Sequence, residues 1–179
     1  PDTKDNKIHL TPANLNTMFH RSIETEFTYQ QCKIIFPKKY FEIHSPTITI
    51  SGYGDEGAAN HLRISKSHNE KGFEIFVYGE SGFKNDKTSV KRQALEVSRS
   101  IAFNHKLDME NTFFLQQNHQ AVKEGSFHND IVSLSNESVF IAHENAFQNK
   151  DDLNKMLNIL ESKIDNFQYI EISNSEIPL

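Results

Sequence analysis

Strand-length and helix-length hydrophobic patterns alternate along this chain with no linker between them, and that order restricts the fold more than any other feature. The last third is clearest. Two runs of strand character, 131–135 and 139–143, predict a hairpin. A helix is predicted next over 151–164, where Leu153, Met156, Leu157, Leu160 and Ile164 fall on one stripe. Asp151 and Asp152 stand at its start and Lys163 near its end, as the helix dipole favours. A strand over 167–172 follows. The same order occurs earlier: strands over 62–65 and 73–78, joined by a polar turn near Asn69 and Gly72, a helix over 89–103, and a strand over 112–115. A helical turn is predicted near 121–124. The N-terminal part reads as a strand at 7–10, a polar loop at 14–22, a helix over 28–36 and strands at 41–44 and 47–51. Each α/β unit buries only one face of its helix and needs neighbours to close a core. The expectation is an α/β fold made of consecutive modules, roughly 7–80, 81–145 and the start of another at 146–179, within a larger assembly.

Composition narrows the function. The net charge is −5 with Lys and Arg scattered, which leaves no basic footprint for a nucleic-acid backbone. No apolar run approaches the ~20 residues of a membrane helix. The single cysteine, Cys32, excludes an internal disulfide framework and fits a reducing cytoplasm. Its neighbours Ile34, Ile35 and Phe36 suggest a packed helix and an inert thiol. Residues 1–7 are polar, without an initiator Met or a signal-peptide pattern, and read as a cut inside a longer chain. Nine His occur, but no His-Glu-x-x-His spacing and no Cys cluster accompany them, so no metal site is expected.

Four polar clusters stand where neither helix nor strand periodicity calls for them. In the segment 14–21, His20 and Arg21 are adjacent, and Arg can bind both oxygens of a carboxylate. In the segment 52–61, Gly54-Asp55-Glu56-Gly57 lets backbone approach a ligand closely while a carboxylate points inward, though glycines also serve plain turns. Lys91 and Arg92 open a predicted helix, where a cation works mildly against the dipole. In the segment 125–130, strand alternation would send His128 and Asp130 to one face, with His128 able to move protons near neutral pH. Each cluster alone also fits a solvated surface.

Taken together, Ile8 to Asn16 with Phe19-His20-Arg21-Ser22, the string Gly54-Asp55-Glu56-Gly57-Ala58-Ala59-Asn60-His61, Phe76-Val77-Tyr78-Gly79, and Gln116-Gln117-Asn118 with Phe127-His128-Asn129-Asp130 resemble the N-succinylarginine dihydrolases. The resemblance runs from about residue 7 to 147. It implies part of a pentein, a five-bladed α/β propeller, with two to three ββαβ-type modules present. It implies hydrolysis of N2-succinyl-L-arginine to N2-succinyl-L-ornithine, ammonia and carbon dioxide by a covalent cysteine mechanism. It implies no metal or organic cofactor and a homodimeric, cytoplasmic enzyme. By the same resemblance Glu56 and His128 correspond to catalytic positions, and His20, Arg21, Arg92 and Asp130 to substrate-binding positions. The family's nucleophilic Cys has no counterpart here, since Cys32 does not align with it, so residues 1–179 alone are expected to be inactive. A non-catalytic guanidino-binding module, or a related arginine deiminase or amidinotransferase, are the alternative readings.

Overall fold

The computed structural model describes residues 2–82 and 93–179. The protein is a mixed α/β chain with three small sheets, and no closed barrel is present among the described residues. Two of the sheets repeat one plan. Strand β3 (His61–Ser65) runs antiparallel to β4 (Gly72–Tyr78); helix α3 (Leu95–Asn104) then crosses over, and β5 (Thr112–Gln116) returns parallel to β4. Likewise β6 (Ser133–Asn136) runs antiparallel to β7 (Val139–His143), α5 (Lys150–Lys163) crosses over, and β8 (Gln168–Ile172) lies parallel to β7. The short helix α4 (His119–Lys123) joins the two units. Before them, β1 (Ile8–Leu10) and β2 (Phe41–Ile43) pair in parallel, with α1 (Phe19–Ser22) and α2 (Thr25–Ile35) between them. A parallel return needs a crossover, so the third strand of each sheet must follow its helix. For that reason the breaks expected near 80 and 145 fall inside the two three-stranded sheets rather than between them.

Strand β4 shows why its sequence, Glu74 apart, is apolar rather than alternating. Phe73, Ile75 and Val77 face a core formed with Phe140, Phe147 and the α5 stripe of Leu153, Met156, Leu157 and Leu160. Phe76 points the other way, to Val97, Ile101 and Ala102 of α3. A strand covered on both faces has no polar side to show. Helix α5 is fixed at its start by Asn149, whose side-chain oxygen accepts from the Asp151 and Asp152 amides at 3.0 and 3.4 Å.

The N-terminal part departs from its expected pattern. Residues 47–51 form no strand, and the polar loop at 14–22 ends in the single turn of α1. Helix α2 buries none of its residues: Ile34 is 85% exposed, and Phe19 just before it is 82% exposed. Cys32 is only half-buried among the described residues, short of the packed environment expected around it. Amphipathic spacing shows which face of a helix seeks cover, not whether anything covers it.

Candidate active site

Glu56 stands at the end of a loop held by side-chain amides together with backbone bonds from Leu15 to Asp55 and from Ala94 to Gly54. Asn14, buried, accepts from the Asp55 amide at 3.0 Å and donates to the Tyr53 carbonyl at 2.8 Å. The Glu56 amide donates to Gln93 Oε1 at 2.8 Å. Gly57, at φ +73°, turns the chain into a 3₁₀ turn at 57–60, and a Cβ there would sit 3.2 Å from Ala13 Cβ. Both the backbone angle and the space therefore favour glycine. The last residue of that turn, Asn60, accepts from the Asn129 amide at 2.9 Å. Asn129 in turn accepts from Ser133 Oγ at 2.6 Å. This bridge sets a second 3₁₀ turn, 129–131, against the first, and it carries His128 to Glu56.

Three donors converge on the Glu56 carboxylate. Thr17 Oγ1 donates to Oε1 at 2.7 Å, Arg21 Nη1 to Oε2 at 2.5 Å, and His128 Nε2 lies 3.1 Å from Oε2. The Glu56 side chain has 0% exposure, against 35% for Arg21 and 23% for His128. Burial pushes the Glu56 carboxyl up, but the bonds from Thr17, Arg21 and His128 outweigh it and hold the group below its ordinary value of 4.5. A depressed carboxyl stabilises the fold fully above its ordinary value and loses that contribution as the pH falls through the depressed one. The stability difference between the wild type and Glu56→Gln is therefore expected to shrink steadily below pH 4.5. Urea midpoints measured across pH 2–7 test this, and a difference that grows on acidification would contradict it.

Of the residues singled out in the sequence, Glu56, His128 and Arg21 meet. His20 is exposed on α1, and its side chain makes no hydrogen bond or ion pair among the described residues. Asp130 lies on the outer side of the 129–131 turn, exposed and likewise unbonded. The expected strand alternation of His128 and Asp130 fails, because the backbone turns back at Asn129, whose carbonyl accepts from the Val132 amide at 2.9 Å. Arg92 and Lys91 lie outside the described residues. Sequence reasoning missed Thr17, Asn14, Gln93, Asn60 and Asn129. Asn14, Asn60 and Asn129 carried a signal, as members of the distinctive strings.

Other candidate chemistry lies elsewhere. A groove of about 680 Å³ is lined by Pro46, Ile48, Tyr53, Arg99, Phe103 and Met109 and contains none of the converging residues. His9, His44 and His105 pack ring on ring, with His9 Nδ1 2.7 Å from His44 Nε2. Burial, with the neighbouring imidazoles, pushes His105 down to about 3, so it stays neutral at ordinary pH. Beside this cluster Asp55 is buried, and burial pushes its carboxyl up.

A carboxylate enclosed by an imidazole, a hydroxyl and a guanidinium suits chemistry on a planar nitrogen cation. A family model described as succinylarginine dihydrolase matches residues 1–179. The chain belongs to the succinylarginine dihydrolase family. Among its curated relatives, the N-succinylarginine dihydrolase of Sphingopyxis alaskensis is 44% identical over 151 residues, which is 84% of this chain and 35% of the relative. Those of Acinetobacter baumannii and Pseudoalteromonas atlantica are 41% and 42% identical over 155 residues, with the same coverage. The chain thus spans about a third of the length of these succinylarginine dihydrolases. No helix among its described residues is long and apolar enough to cross a membrane.

Proposed function

We propose that this chain supplies the guanidinium-binding part of an enzyme that hydrolyses N2-succinyl-L-arginine to N2-succinyl-L-ornithine, carbon dioxide and two molecules of ammonia. The observation that carries the reading is the meeting of Glu56 and His128, 72 positions apart, around a single carboxylate oxygen. Glu56 holds and orients the substrate guanidinium through charge-assisted hydrogen bonds. A cysteine thiolate attacks the guanidinium carbon, His128 delivers a proton to the departing ammonia, and water resolves the covalent adduct to a ureido group; a second round on that carbon releases the second ammonia and leaves a carbamate that loses carbon dioxide. His20, Arg21 and Arg92 serve the substrate carboxylates, and Asp130 adds to the grip on the cation. The exposure of His20 and Asp130 requires the ligand, or chain packed around it, to bring these two groups inward.

The thiolate has to come from elsewhere. Cys32 is the only cysteine in the 179 residues and makes no hydrogen bond to Glu56 or His128. Two ββαβ units in succession, with a βαβ pair before them, support a partial pentein propeller belonging to a larger catalytic domain. The resemblance extends the reading to a homodimeric cytoplasmic enzyme.

Residues 1–179 alone are expected to bind N2-succinylarginine in calorimetry and to release no ammonia from it. N2-succinylornithine, which keeps both carboxylates and lacks the guanidinium, is expected to bind at least ~10-fold more weakly, the difference of about 1.4 kcal/mol that one charge-assisted hydrogen bond supplies. Equal affinity for the two compounds, or turnover above background, would overturn this assignment.

A further inference from the structure

We infer that Arg21 occupies the place of a substrate guanidinium on Glu56 in the unliganded chain, so that a guanidinium gains entry only when it brings an anion that draws Arg21 away. The inference deepens the functional reading above and rests on it.

The geometry around Glu56 Oε2 carries the argument. That oxygen already receives a guanidinium nitrogen, Arg21 Nη1, at 2.5 Å, with His128 Nε2 beside it at 3.1 Å. A substrate guanidinium would need the same oxygen and the same imidazole. The other carboxylate oxygen is taken by Thr17 at 2.7 Å. Glu56 itself has no exposed side-chain surface, so a ligand cannot reach it without moving one of its partners.

Arg21 is the partner most easily moved. His128 leads into the turn pinned by Asn129 and Asn60. Arg21 stands on the single turn of α1, which buries none of its residues, and its side chain is the most exposed part of the pair. Its contact is through one nitrogen, and its remaining nitrogens have no partner among the described residues. A guanidinium binds a free carboxylate through two nitrogens, so an arriving carboxylate offers Arg21 a better-matched bond than the one it leaves.

Charge balance then makes the exchange selective. Withdrawing Arg21 with no replacement would leave a buried carboxylate without its cation, an arrangement that costs far more than an exposed pair. A ligand carrying a guanidinium at one end and carboxylates at the other replaces one cation with another and supplies Arg21 with a new anion. A bare guanidinium must compete against a tethered one, and a bare dicarboxylate cannot restore the charge on Glu56. Arg21 is thus a specificity-determining residue with two positions.

The test uses residues 1–179 with guanidinium chloride and N2-succinylarginine as probes, at matched ionic strength set with potassium chloride. The tethered competitor counts as roughly millimolar ligand, so Arg21→Gln is expected to bind guanidinium at least about ten-fold more tightly while losing affinity for N2-succinylarginine. Unchanged or weaker guanidinium binding in Arg21→Gln, with Glu56-dependent binding of N2-succinylarginine intact in the wild type, overturns the inference and leaves the functional reading standing. Absence of Glu56-dependent binding of either probe overturns both. A measurement on the unaltered protein guards against a variant that fails to fold. The Arg21 side-chain nitrogen resonances should shift on adding N2-succinylarginine and stay in place with N-succinylnorvaline, which keeps both carboxylates and carries no cation. An equal shift with both compounds also overturns the inference.

Discussion

Glu56→Gln is expected to weaken N2-succinylarginine binding by at least ~30-fold, because truncating one partner of a buried, hydrogen-bonded charge pair costs about 2–5 kcal/mol. The amide keeps the size of the carboxylate and can still accept from Thr17, whose Oγ1 lies 2.7 Å from Oε1, so shape is preserved and only the charge is lost. Arg21 is part-exposed and can hydrate its guanidinium once Glu56 is neutral, which limits the damage to the fold. Calorimetric titration, with circular dichroism to confirm folding, measures the effect. A folded Glu56→Gln protein binding within about three-fold of wild type would remove the charge from the account of recognition.

Phe140→Ala is expected to destabilise the fold by about 3–5 kcal/mol, the range for deleting a buried phenyl ring. Phe140 has no exposed surface, lies mid-strand in β7, and meets Phe147 and Tyr169 at ring separations of 6.2 and 5.5 Å. Its core also takes in Leu153, Met156 and Leu160 from α5 and Ile75 and Val77 from β4, so the cavity would open between both sheets. Few side chains could close around it. Urea unfolding should show a lower midpoint with an unchanged slope. Ile34→Ser on the exposed face of α2 serves as the contrast, with an expected change within about 0.5 kcal/mol. A loss below ~1 kcal/mol at Phe140 would mean that the two sheets do not share one core.

The elements best read in advance were those whose evidence lay within a few turns of chain. Helix α5 begins one residue before its expected start and ends one before its expected end, because its stripe and its acidic first turn are local facts. The β6–β7 hairpin and β8 follow for the same reason. Where reasoning by periodicity failed, a distant partner had overruled it. Residues 129–131 look like the start of a strand, but Asn129 is buried and bonded to Asn60 and Ser133, and the backbone turns to allow it. Helix α2 has an apolar face like those of α3 and α5, yet none of its residues is buried.

The candidate site divides along the same line. Glu56, His128 and Arg21 were each visible as ionisable groups out of step with their surroundings, and family resemblance joined them. Thr17 had no distinguishing mark, since a hydroxyl in a polar loop differs from its neighbours only once a carboxylate lies against it.

Sequence alone determined the order of strands and helices, the stripe of α5 and the residue types able to handle a guanidinium, because each depends on the chemistry of neighbours along the chain. Tertiary structure decided that His128 meets Glu56 at one carboxylate oxygen, that Asp130 is exposed and that Arg21 lies against that same oxygen. The meeting of Glu56 and His128 depends on the bridge between Asn60 and Asn129, a pairing across 69 positions that no local periodicity predicts.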